Sequence, residues 1–302
     1  MKKRPRPASA GRSGRSRKPG TRGTPGKPLP DSALLVVDLG NSETVLGLFT
    51  GERLTSHWRV GSRPRTADEV ALLIRSLSGR EAGDPAARRS VLCSVVPTQT
   101  RDFAAALEAV TGHPPLVVDH RTVRDLPVRY HDPAVVGPDR LANAVAARSL
   151  YGVPAVVVDL GTATTFDVVG PRGDYVGGAI APGVITSSEE LFRRAARLSR
   201  VELELPERAI GRNTQESLQA GILLGTAGMV DGLVKRIARE LGDGKGARKP
   251  HVIATGGLAH IVAPACETVD RVDEWLTLQG LRLIHEQAAG RAPSATSRTR
   301  RS

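Results

Sequence analysis

Three aspartates in this 302-residue chain, Asp38, Asp139 and Asp159, sit in settings that suggest chemistry. Asp38 and Asp159 each end an unbroken apolar run. Each is followed by Leu-Gly and then by small hydroxyl or amide side chains: Asp38-Leu39-Gly40-Asn41-Ser42 and Asp159-Leu160-Gly161-Thr162. Val-Val-Asp-Leu-Gly recurs letter for letter 121 residues apart. A Gly turn lets backbone N–H groups approach a ligand closely, hydroxyls and amides can bond phosphate oxygens, and the carboxylate can hold an accompanying cation. For one copy alone, a polar turn after a core strand is an equally good reading. Two copies in two domain-sized halves point instead to a two-lobed fold with a polyanion held in the cleft.

Asp139 belongs to a different pattern. Tyr130 to Gly137 reads as a Pro-containing loop, and Pro138 starts a helix with Asp139 and Arg140 in its first turn. The macrodipole favours an acid there whether or not it has a function, and it should lower the carboxyl pKa. The alternative is a carboxylate placed where a substrate hydroxyl loses its proton, a role in which orientation counts for more than basicity.

The elements that must position these residues follow from periodicity. Each Asp-Leu-Gly run reads as strand, turn, strand. Arg53–Val60 alternates as a third strand. Thr66–Leu77 has helical spacing with Thr66 and Glu69 as a capping box. Ser90–Val96, Leu116–Asp119, Asp174–Ile180 and His251–Ala254 read as strands, and 98–110, 138–148, 187–198 and 275–286 as helices. Alternating strands and helices imply an α/β fold. Gly177 to Gly183 makes a shaped cleft wall, and Thr255-Gly256-Gly257 a turn that can lie against a flat, adenine-sized ligand. Gly211-Arg212-Asn213-Thr214 opens a long helix, with Thr214 and Ser217 as candidate N-terminal residues. In it Gly221, Gly225, Gly228 and Gly232 share one face. Each costs about 1 kcal/mol of propensity, which predicts close contact with another helix, in this chain or in a second copy.

The net charge of +12 resembles a nucleic-acid signal until it is located. Ten Lys or Arg and no acid lie in residues 1–30, and four more Arg in 288–302; without them the body is near −2. A nucleic-acid face on the body is therefore not supported, and only the tails could make such a contact. Residues 1–30 and 289–302 are too polar to fold and are expected to be disordered, flanking lobes at 31–150 and 151–288. The basic segment lacks the apolar centre of a secretion signal, and no uninterrupted apolar run of about eighteen residues occurs, so a cytoplasmic, membrane-free protein is expected. Cys93 and Cys266 lack metal or disulfide spacing and read as small core residues. No P-loop, dinucleotide fingerprint, paired zinc histidines or Gly-x-Ser-x-Gly elbow is present.

The succession Asp38-x-Gly-Asn-Ser, Ser94-Val-Val-Pro, Gly137-Pro-Asp139-Arg140, Asp159-x-Gly-Thr-Ala-Thr-Thr, Gly-Gly-x-Ile-x-Pro-Gly, Gly-Arg-Asn-Thr214 and Thr-Gly-Gly resembles type III pantothenate kinase, of the acetate and sugar kinase/heat-shock chaperone/actin superfamily. The resemblance covers residues 34 to about 285. It implies a duplicated actin/ribonuclease-H-like fold of mixed sheets flanked by helices, with the active site between the lobes. ATP, as Mg-ATP, would be bound by Asp38, Leu39, Gly40, Asn41, Ser42, Glu43, Thr44, Val45 and Thr162. Asp139 would accept the proton of the primary hydroxyl of pantothenate. Tyr130, Gly137, Pro138, Asp139, Arg140 and Thr214 would hold that substrate, and Asp159 a monovalent cation, K⁺ or NH₄⁺. The family acts as homodimers, which the Gly-lined helix would suit. Ser42 stands where Thr is commoner and Pro138 where Ala is. A relative that kept the fold but works as a regulator is the rival reading. It predicts a damaged acidic set, yet all three acids are intact.

Overall fold

Val, Leu and Ala in unbroken sequence can be buried on both sides of a sheet, and both Asp-Leu-Gly runs form such central strands. The computed structural model describes residues 33–78, 87–195, 198–242 and 248–290; the tails at 1–30 and, apart from Ala289 and Gly290, 289–302 lie outside them. In the first half, β1 (Ala33–Leu39), β2 (Glu43–Thr50) and β3 (Arg53–Gly61) form an antiparallel meander. α1 (Ala67–Ser78) follows, and then β4 (Arg89–Ser94), α2 (Pro97–Thr111) and β5 (Leu116–Val117). β4 lies parallel to β1 and β5 to β4, giving the order β3-β2-β1-β4-β5.

The second half begins after α3 (Pro138–Leu150) and repeats the plan. β6 (Ala155–Leu160), β7 (Ala163–Val169) and β8 (Tyr175–Pro182) form the meander. α4 (Val184–Arg194), α5 (Thr214–Gln219), α6 (Gly225–Leu241), β9 (His251–Thr255), α7 (Ala259–Val262), β10 (Arg271–Val272) and α8 (Leu276–Ala288) complete it, in the sheet order β10-β9-β6-β7-β8. The two sheets have the same connectivity strand for strand, so the sequence repeat is a structural one.

The ends of the elements have identifiable causes. Thr66 N–H donates to Glu69 Oε2 at 2.8 Å, closing the expected capping box. α4 starts directly after Gly183 and stops at Arg194, so it begins earlier than its periodicity suggested. α5 begins at Thr214, as expected, and its cap is Asn213, whose side chain accepts from Glu216 N–H at 2.8 Å. The long helix is interrupted by a π-helical turn at Ala220–Leu224. By length and composition alone the run Thr214–Leu241 could cross a bilayer, but its apolar side, Leu223, Ala227, Val230 and Val234, packs into the core of the second lobe.

Three cores hold the fold together. One lies between the first sheet and α1–α2, one between the second sheet and the α6–α7 region, and the largest between the two sheets. The middle core contains α3 and α8, which exchange allegiance. α8, from the end of the chain, packs on β1, β2 and β4, whereas α3, from the first half, packs on β6 and β7. This exchange fixes the N-terminus of α3, and with it Asp139, at the seam between the lobes.

Candidate active site

Asp38 lies at the end of β1 and Asp159 at the matching place in β6, while Asp139 is the second residue of α3. The structure brings the three together. Burial, reinforced by the charges of Asp139 and Asp159, pushes the Asp38 carboxyl up to about 7. Burial and the Asp139 charge raise Asp159 to about 6, against a hydrogen bond from Asn143 and the charge of Arg59. Asp139 is also raised, first by burial; the Arg140 N–H, which donates to its Oδ1 at 2.8 Å, and the Arg140 charge oppose this. The dipole argument predicted the opposite sign. Desolvation outweighs it because the helix end is buried between the lobes.

Local backbone explains how the acids are held. A Cβ on Gly137 would lie 2.4 Å from Asp139 Oδ1, so only glycine leaves room for the carboxylate. Gly256 has φ +91° and an added Cβ would meet Asp159 Oδ1 at 2.5 Å; this left-handed turn wraps bare backbone around that oxygen. The other oxygen, Oδ2, accepts from Asn143 Nδ2 at 3.1 Å, and Thr277 Oγ1 on α8 donates to Asn143 Oδ1 at 2.8 Å. Cys93 is paired with Asp38 across β1 and β4, and its thiol beside the carboxyl opposes the rise in the Asp38 pKa, so it is more than core filler. Burial keeps it a thiol.

The two hairpin turns face each other. Ser42 Oγ and Thr162 Oγ1 are 2.8 Å apart across the cleft. Asn41, Ser42, Glu43 and Thr162 are exposed, whereas Leu39 and Thr44 are buried and Val45 packs on the middle core. The Thr44 hydroxyl is committed to Ser62 Oγ at 2.8 Å. Leu39, Thr44 and Val45 can thus meet a ligand through backbone alone.

Arg140 is buried and its Nε donates to Asp167 Oδ1 at 2.7 Å. The Tyr175 hydroxyl donates to the same oxygen at 3.0 Å, and Thr165 Oγ1 to Oδ2 at 3.3 Å. Burial pushes Asp167 up, and the Arg140 guanidinium opposes it. The Tyr130 ring stands 6.4 Å from that of Tyr175, so Tyr130 and Arg140 border one space beside Asp139. Thr214 is exposed at the start of α5, and no described contact links it to Asp139 or Arg140. Among the described residues no three His, Cys, Asp or Glu side chains converge to hold a metal ion between them. Asp167, Tyr175, Arg59 and Cys93 carry site contacts that sequence motifs did not flag; a lone Asp in the buried strand β7 was the one available signal.

Two sheets of one connectivity, with an acid at the end of each first strand and a third acid at the seam, define a duplicated two-lobed α/β protein with an acidic cleft between its lobes. A conserved protein from Campylobacter jejuni, described as a Baf family transcriptional activator, shares this fold. Its TM-score is 0.53 at 17% identity, covering 85% of this chain and 99% of that one. At that identity the likeness shows the fold alone. The chain belongs to the type III pantothenate kinase family, whose model matches residues 34–236. The type III pantothenate kinase of Moorella thermoacetica is 46% identical over 256 residues, 84% of this chain and 99% of the relative. That of Acidothermus cellulolyticus is 48% identical over 256 residues, 84% and 98%. These relatives are named as kinases and give no support to the regulator reading.

Proposed function

We propose that the chain transfers the γ-phosphoryl group of ATP to the primary hydroxyl of pantothenate, releasing ADP and 4′-phosphopantothenate in the first step of coenzyme A synthesis. The observation that carries this reading is the placement of Asp38 and Asp159 at matching strand ends, with Asp139 at the start of α3 and the Ser42 and Thr162 hydroxyls 2.8 Å apart between the two turns. Asp139 accepts the hydroxyl proton as the oxygen attacks phosphorus and the bond to the ADP oxygen breaks. Its raised pKa makes it a better acceptor than a surface aspartate. Tyr130, Gly137, Pro138 and Arg140 hold pantothenate. Asp167 fixes the Arg140 guanidinium so that its remaining N–H edge can meet a carboxylate or the moving phosphoryl group. Backbone N–H groups and hydroxyls from Asp38 to Val45, with Thr162, hold the ATP phosphates.

Asp159 suits a monovalent cation, K⁺ or NH₄⁺. One of its oxygens is oriented by Asn143, and the other faces the bare backbone of Gly256, a cradle that any side chain would fill. The ion would offset negative charge near the phosphates; Mg²⁺, arriving with ATP, would do the same at the phosphates themselves. A cytoplasmic location belongs to the same reading. So does a homodimer, supported by an open helix face at Gly221, Gly225, Gly228 and Gly232, where added Cβ atoms meet nothing within 4 Å. Exposed Ile180, Ile185, Leu191, Leu205 and Ile210 also lie in this lobe, and Thr214 begins the same helical run. Coupled measurement of ADP release with pantothenate, with and without K⁺, tests the whole. Asp139→Asn is expected to lower kcat by about 10²–10⁴-fold with Mg-ATP affinity retained; undiminished turnover in that variant would remove Asp139 as the base.

A further inference from the structure

Arg59 lies on β3, outside every motif, yet its side chain reaches the second lobe. Nη1 donates to Glu43 Oε2 at 2.8 Å, in the turn that begins β2, and Nη2 lies 3.6 Å from Glu274 Oε1, just before α8. The guanidinium carbon is 5.9 Å from the centre of the Trp275 ring. A Cβ on Gly257, in the turn after β9, would stand 3.5 Å from Nη1. Arg59 therefore bridges the two turns read as nucleotide-binding, and its charge reaches both Asp38 and Asp159.

The charge balance of the cleft gives this bridge a direction. Asp38, Asp139, Asp159 and Glu43 border the space into which a polyphosphate must come. Arg140, the cation on the substrate side, shares its charge with buried Asp167. The acids that hold Arg59 are half exposed, at 50% for Glu43 and 57% for Glu274, so solvent screens both pairs and they can be exchanged at little cost. A planar guanidinium bonds phosphate oxygens in pairs, and a triphosphate carries more negative charge than either of these carboxylates. We propose that Arg59 is a nucleotide-phosphate residue, steered by Glu43 and Glu274 across the cleft mouth and transferred from Glu274 to the triphosphate of Mg-ATP when it binds. This rests on the phosphoryl-transfer reading above.

The test is Mg-ATP affinity by calorimetry on the full chain, with melting temperature and pantothenate KM as controls. Arg59→Gln is expected to weaken Mg-ATP about 10-fold or more, Arg59→Lys less, each with pantothenate KM within about 2-fold of wild type. Glu274→Gln, which frees the guanidinium from its competitor, is expected to tighten Mg-ATP about 2–5-fold. A bridge that merely ties the lobes together predicts that Arg59→Gln and Glu274→Gln act alike, lowering melting temperature and weakening both substrates; that pattern overturns the inference. So does unchanged Mg-ATP affinity in Arg59→Gln, or in Arg59→Lys and Glu274→Gln should the first variant not fold. Wild-type chain that turns over pantothenate while Arg59→Gln binds Mg-ATP normally defeats this inference alone, whereas wild type that fails to bind Mg-ATP defeats the kinase reading with it.

Discussion

At the scale of single residues, the three cleft acids are held at a cost to the fold. A carboxyl raised above its unfolded value near 3.8 means that the folded chain binds more protons than the unfolded chain between about pH 4 and 7. Stability is therefore present below that window and is lost as pH rises through it. In the absence of ligand, Asp38→Asn should stabilise the chain at pH 8 by about 2 kcal/mol, with little effect at pH 4, since each pKa step is worth about 1.4 kcal/mol and Asp38 keeps some solvent contact. Denaturant melts of both proteins at the two pH values check this; a gain at pH 8 no larger than at pH 4 would exclude it. The proposed mechanism needs the same groups ionised, so kcat/KM should fall as pH drops through about 7 to 6, the values of Asp38 and Asp159, on an acid limb shared by the coupled set. Fold and function thus pull these residues in opposite directions, and a cation at Asp159 is expected to raise the melting temperature by relieving the conflict.

At the scale of elements, what was legible is what local pattern encodes. The repeated Val-Val-Asp-Leu-Gly fixed two hairpins, alternation fixed β3, and Thr66 with Glu69 fixed the start of α1. Packing decisions were not legible. The amphipathic pattern of α8 says that one side is buried but not which sheet buries it, and the helix crosses to the first lobe. Asp167 is a charge in an apolar strand, but its partner Arg140 is 27 residues away, on a helix whose angle the sequence does not give. The π turn at Ala220–Leu224 left no mark in the periodicity. The crossing of α3 and α8 rests on another such detail: a Cβ on Gly280 would fall 2.0 Å from the carbonyl oxygen of Ala142. Gly280→Ala must separate these helices and should destabilise the chain by about 1–3 kcal/mol despite its better helix propensity. It also moves Thr277 away from Asn143, which orients Asp159. The K⁺ concentration giving half-maximal stabilisation should rise with the loss of stability; a melting temperature equal to wild type would show that the contact relaxes freely.

At the scale of the whole molecule, the charge and the glycines bear on assembly. The cations that make the chain basic lie mainly in the tails, so deleting residues 1–30 should leave the kinase rate unchanged. The glycine face is a different matter. Four glycines line an exposed side of the run Thr214–Leu241, and among the described residues nothing lies within 4 Å of a Cβ added to any of them, which leaves a second copy as the partner their spacing calls for. For a chain that works alone this face is a pure loss of helix propensity, and Gly228→Ala should stabilise it by about 1 kcal/mol. A chain that pairs through this face predicts the reverse, because the glycines would let two backbones approach and a methyl group would hold them apart. The homodimer reading therefore commits to a sign: Gly228→Ala lowers the melting temperature in a concentration-dependent way, and Gly225→Glu with Gly228→Glu yields monomers in light scattering. Stabilisation by Gly228→Ala with unchanged mass would assign the face to no partner of its own kind, and the exposed Ile180, Ile185 and Ile210 would need another occupant.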